Sequence, residues 1–133
     1  MNLAVVGSRS LKDSLPAKEE AKSLVRGAIL ALGVDKIVSG GAAGPDKWSE
    51  EAADEMKIET VIYKPDWKTY GKSAGIRRNR DIINDADSVL VFWDGKSKGT
   101  SHDIMLARKN NKPYELFVWQ KTSEWRLIES TIA

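Results

Sequence analysis

The chain has 133 residues, of which 41% are hydrophobic and 30% charged, so one soluble globular domain with an ordinary core is expected. It has no cysteine and a single histidine, His102, which excludes a disulfide framework, a thiol nucleophile and a histidine-rich metal site. The net charge of +2 does not by itself argue for nucleic acid, and no apolar run approaches the roughly 20 residues of a bilayer span.

The opening MNLAVVGSRS lacks a positively charged leader and enters a strand at once. It does not read as a signal peptide, and a cytoplasmic setting without membrane contact is expected. Leu3 to Val6 is a short apolar strand, closed by Gly7, Ser8, Arg9 and Ser10. A glycine, two hydroxyls and an arginine after a strand suit an oxyanion; a solvated turn is the plain alternative. Ser14 is placed to cap a helix with Pro16 just inside it. Ala21, Leu24, Val25, Ala28, Ile29 and Leu32 recur at helical spacing up to a C-capping Gly33.

Lys36 to Ser39 reads as a second buried strand, followed by Gly40, Gly41 and Gly44 and by a helix over Lys47 to Met56. Strand, glycine turn and helix start form a phosphate-binding geometry, because close backbone approach and free N–H groups meet there. A tight β–α turn would also explain the glycines. Glu59 to Tyr63 is a third strand. Lys64 to Gly75 is read as a long loop, of a length often tied to function. Ile76 to Asn84 is a short helix, and Ser88 to Trp93 a strongly apolar fourth strand. Asp94 to Thr100 is a second glycine-bearing turn, with Thr100 or Ser101 capping the next helix. Pro113 stops that helix, and Tyr114 to Trp119 is a fifth strand. The tail from Gln120 to Ala133 is expected to hold a short helix around Trp125 to Ile128, with Trp119 and Trp125 either at an interface of a homo-oligomer or folded onto the sheet.

Five strands alternating with four helices predict an α/β fold: a Rossmann-like, doubly wound parallel sheet of five strands with helices on both faces, in a single domain over 1–133. Ligands of such sheets bind beyond the carboxyl ends of the strands. The turns at Gly7–Ser10, Gly40–Asp46, Lys64–Gly75 and Asp94–Thr100 all follow strands and therefore share one rim.

The order VVGSR, VSGGAAGPD, PDWKTYGKSAGIRRN and FWDGKSKGTSHDI resembles the SLOG superfamily of Rossmann-like nucleotide-binding domains, nearest to its DUF2493 branch, related to YspA and YpsA. The likeness runs from about Leu3 to Tyr114. Relatives include the LOG phosphoribohydrolases and the DNA-processing protein DprA. The resemblance implies a nucleotide site with Gly40, Gly41, Gly44 and Asp46 as one wall, Gly95, Ser97, Gly99 and Thr100 as the phosphate-facing turn, and Gly7, Ser8 and Arg9 as the floor. DprA carries an arginine in its glycine motif where this chain has Ala43, which places single-stranded DNA behind a small nucleotide as partner. LOG enzymes carry a glutamate near the position of Asp103.

Lys64, Lys68, Lys72, Arg77, Arg78 and Arg80 stand against one acid, Asp66. That segment is +5 and the rest of the chain −3, which suits a polyanionic ligand beside the rim. Lys72, Arg77, Arg78 and the adjoining Asn79 are therefore candidate ligand contacts. Trp67 either stacks a base or plugs the core beneath its loop. Cleavage of an N-glycosidic bond needs a carboxylate at the sugar, and Asp46, Asp94 and Asp103 are the candidates. Asp46 and Asp94 equally suit capping of their own turns, or support of a magnesium ion, although no metal is firmly implied. The expected function is binding of a nucleotide or nucleotide-derived ligand, as sensor or sequestering protein. An N-glycosidic hydrolase acting on nucleoside monophosphates is the alternative, and a DprA-like binder of single-stranded DNA ranks third.

Overall fold

A computed structural model describes residues 1–132. Its sheet contains β1 (Asn2–Gly7), β2 (Lys36–Ser39), β3 (Glu59–Ile62), β4 (Ser88–Trp93), β5 (Tyr114–Trp119) and β6 (Trp125–Ser130), in the order β3-β2-β1-β4-β5-β6. The first five strands are parallel, as expected, and β6 runs antiparallel to β5. The sheet is thus mixed and six-stranded rather than parallel and five-stranded.

The extra strand replaces the helix expected near Trp125. A turn closes after β5, where the Gln120 N–H donates to the Glu124 carbonyl at 2.9 Å and Ser123 takes a φ of 61°. The chain is sent back along β5, and Trp125 is driven inward. Its indole N–H donates to the Ala17 carbonyl at 2.9 Å, and its ring meets Phe92 edge-on at 5.0 Å and Trp119 at 5.1 Å. Trp125 is therefore core and not an exposed interface residue.

The helices are α1 (Leu15–Leu32), α2 (Pro45–Glu55), α3 (Trp67–Tyr70), α4 (Ala74–Asp85) and α5 (Lys98–Lys109). Ser14 caps α1 by accepting the Ala17 N–H at 3.3 Å, and Gly33 ends it at a φ of 65°. The stretch read as a long loop is largely helical. Asp66 caps α3 by accepting the Thr69 N–H at 3.1 Å, a 3-10 turn follows over Gly71–Ser73, and α4 starts at Ala74. Likewise α5 starts at Lys98, ahead of Thr100, because the Asp94 turn shapes its entry.

Two cores sandwich the sheet. Leu3, Val5, Ile37, Leu90 and Phe92 meet Ala21, Val25 and Ile29 of α1 and Trp48 and Ala52 of α2. On the other face Ala4, Val6, Val38, Val89 and Val91 meet Ile82 and Ile83 of α4 and Ile104 and Ala107 of α5. Alternate residues of β1 serve opposite cores, which is why that strand reads as a continuous apolar run. The order of strands reverses between β1 and β4, so a crevice opens at their carboxyl ends. Among the described residues no helix is long and apolar enough to cross a membrane.

Candidate functional site

The crevice between β1 and β4 holds a cavity of about 590 Å³. Ser8 ties its two banks together. Its N–H donates to the Phe92 carbonyl at 2.9 Å, its Oγ accepts the Asp94 N–H at 3.1 Å, and the same Oγ lies 3.1 Å from Thr100 Oγ1. A third element joins at Gly7. A Cβ there would stand 2.4 Å from the Phe92 carbonyl oxygen and 2.6 Å from Pro45 Cγ, so only glycine lets the first turn of α2 press against β1.

Most of the expected contacts do converge on the cavity. Gly7, Ser8 and Arg9 line it from the β1 turn, Asp46 from α2, and Arg78 and Asn79 from α4. Ser97, Gly99 and Thr100 line it from the start of α5, and Trp67 from α3. Trp67 is 59% exposed, so it does not plug the core. Gly40, Gly41, Gly44, Lys72, Arg77, Asp94 and Gly95 lie outside the lining. Arg77 instead sits over the Tyr70 ring, 4.3 Å from its centre.

Ser10, the second hydroxyl of the β1 turn, lines the cavity too, and so do residues not singled out from sequence: Val6, Ala42, Gly75, Ile82 and Lys98. Lys98 stands inside the turn DGKSKGT that drew attention for its glycines, and its cationic side chain was the available signal.

The three acids part company. Asp94 serves its own turn: Oδ1 accepts the N–H groups of Lys96 and Ser97, both at 2.8 Å, and Oδ2 accepts the hydroxyls of Ser10 and Ser97, both at 2.7 Å. Partial burial works to raise its pKa, but these four bonds hold it well below the usual carboxylate range. The Asp94 carboxylate therefore acts as a turn clamp, and it takes the Ser97 hydroxyl away from capping α5.

Asp46 and Asp103 are 7% and 6% exposed at the floor of the cavity. Asp46 Oδ2 accepts the Ala42 N–H at 3.1 Å. Burial pushes its carboxyl up to about 6, against the pull of that N–H and of Arg78. Asp103 is pushed up to about 8 by burial and then by Asp46, with Arg78 alone opposing. Its Oδ1 has no hydrogen-bond partner among the described residues. The Arg78 guanidinium donates through Nη1 to the Gly40 carbonyl at 2.8 Å and through Nε to Asn79 Oδ1 at 2.9 Å. Gly40 is fitted to this packing, since a Cβ on it would stand 2.7 Å from Arg78 Nη1 and 2.9 Å from Asp46 Oδ2. Among the described residues no group of three or more histidine, aspartate or glutamate side chains is placed to hold a metal ion.

Compared with known proteins, the chain superposes on DNA processing protein A (DprA) of Helicobacter pylori, a protein solved for its single-stranded DNA binding mode. The TM-score is 0.67 at 27% identity, over 98% of this chain and 68% of that one. The fold is shared with DprA. The Streptococcus pneumoniae DprA gives a TM-score of 0.70 at 21% identity, over 86% of this chain and 49% of that one. The protein TM1055 gives 0.66 at 21% identity, over 85% and 71%; these two likenesses concern the fold alone. In sequence, the chain is 35% identical over 83 residues to the gene 61 protein of Mycobacterium phage D29, a match that takes in 58% of this chain and 66% of the phage protein. No family model matches the chain.

Proposed function

We propose that the β1–β4 crevice binds a nucleotide or nucleotide-derived ligand. The observation that carries this reading is the uncapped start of α5 facing a cavity. Ser97 gives its hydroxyl to Asp94 and not to the helix, so the first N–H groups of a twelve-residue helix are left for an anion, with Arg9 and Lys98 on the same lining. A phosphate at this helix start puts the sugar over the Asp46–Asp103 floor and brings a base within reach of the exposed Trp67.

Asp46 and Asp103 favour a second reading, the N-glycosidic hydrolase. An ionised Asp46 stabilises positive charge growing on the sugar as the C1′–N bond breaks, a protonated Asp103 gives its proton to the leaving base, and water adds to C1′ and returns a proton to Asp103. A third partner, single-stranded DNA, is bound by the H. pylori protein, and the cation-rich α3–α4 segment supports it here. A panel of nucleoside monophosphates, deoxynucleotides, ADP-ribose, NAD, cyclic nucleotides and a short single-stranded DNA separates the three. Thermal shift reads binding, and chromatography of each mixture reads products. A stabilising nucleotide recovered intact supports binding alone, free base establishes hydrolysis, and stabilisation by DNA alone refutes the small-ligand reading.

A further inference from the structure

The floor of the crevice has an imbalance of charge. Two nearly buried carboxylates, Asp46 from α2 and Asp103 from α5, face it, and Arg78 from α4 is the cation acting on both. Glu50, also on α2, adds negative potential at Asp46. Arg9 and Lys98 line the same cavity but are exposed. With both carboxyls ionised, a buried site with one guanidinium would hold two negative charges beneath an anionic ligand. Such a charge is costly to bury and is relieved by taking up a proton.

Resting on the nucleotide reading above, we propose that the Asp46 and Asp103 pair carries a single proton at neutral pH, held on Asp103, which offers it as a hydrogen-bond donor to an acceptor oxygen on the sugar of the bound ligand. The hydrogen bonds choose the proton's place. Asp46 accepts the Ala42 N–H, which favours its anion. Asp103 Oδ1 is buried with no donor among the described residues, which favours the acid. The raised pKa of about 8 at Asp103, from burial and Asp46, agrees with that placement. The assignment makes Asp103 a donor to an acceptor oxygen, while the Asp46 anion beside it sets the floor against a second phosphate.

The test has a ligand-free arm and a binding arm. Carboxyl-carbon NMR of aspartate-labelled protein follows the ionisation of Asp103 directly. The acid form is expected at pH 7, and an ionised Asp103 at pH 7 overturns the proposal. In the second arm AMP is titrated by calorimetry at pH 7 and pH 9. Loss of the protonated form should weaken binding about tenfold in the natural protein, whereas D103N, whose amide donates at both pH values, should show no such fall. An equal fall in D103N overturns the donor role. If Asp103 is the acid at pH 7 and none of AMP, adenosine and inorganic phosphate binds, the shared proton stands, while the donor role and the nucleotide reading both fall.

Discussion

Arg78→Met removes the guanidinium that Asp46 and Asp103 have in common while keeping a long, flexible side chain. Two losses follow, and pH separates them. The Gly40 carbonyl loses a charged donor at 2.8 Å, which costs about 1.5–3 kcal/mol at any pH. The carboxyls lose their counter-charge, which matters only when they are ionised. Both have folded-state pKa values, about 6 and about 8, above the roughly 3.9 of an unfolded aspartate. Their contribution to stability is therefore present at low pH and lost as pH rises through those values. Without Arg78 both pKa values rise further, so the loss steepens. A rise of about one unit on each adds about 1.4 kcal/mol apiece above both titrations. Urea denaturation followed by tryptophan fluorescence should therefore show about 1.5–3 kcal/mol of destabilisation at pH 5 and about 4–6 kcal/mol at pH 9. A loss of equal size at both pH values, or a larger one at pH 5, refutes the placement of Arg78 as counter-ion to the pair.

Gly7→Ala forces a Cβ to 2.4 Å from a backbone oxygen and should cost about 3 kcal/mol or more, read as a lowered urea midpoint with an unchanged slope. Trp67→Ala, at a side chain that is 59% exposed, should leave stability within about 0.5 kcal/mol. The same change should weaken AMP binding about 5- to 150-fold in calorimetry if a base stacks there. Trp125→Ala empties a buried position beneath α1 and should lower stability by about 3–5 kcal/mol, seen as a large drop in the melting temperature.

Local pattern was enough for the first five strands and their parallel order, because each carries adjacent apolar residues closed by a turn: Gly7 after β1, Gly40 after β2, Lys64-Pro65 after β3, Asp94-Gly95 after β4 and Gln120-Lys121 after β5. It also placed the rim, since consecutive crossovers put every such turn at one end of the sheet. β6 was not legible. WRLIES has too few residues to separate the two periods, and its strand form comes from pairing with β5 and from Trp125 docking on Ala17 and Phe92, contacts more than thirty residues away for the last two. The start of α4 was missed because Gly71 and Gly75 read as loop, whereas the buried Ala74 anchors a helical entry. The acids could be named but not sorted. Asp94 declares its use in the spacing DGKS, an Asx-type turn. The pairing of Asp46 with Asp103 crosses from α2 to α5, and no spacing in the chain announces it.

The far border of the sheet has a consequence for self-association. A strand at an open border offers its backbone to any passing chain, and association of that kind leads to fibres. Here Ile128 is an additional residue opposite the Leu116–Phe117 step, breaking the regular ladder, and the Trp125 N–H is occupied by Glu20 Oε1 at 2.9 Å. The opposite border, β3, is only four residues long. A bulge and a side-chain acceptor at one border, and brevity at the other, leave little template for a further strand, so concentrated solutions of this protein should resist conversion to thioflavin-positive aggregates while Glu20 is present.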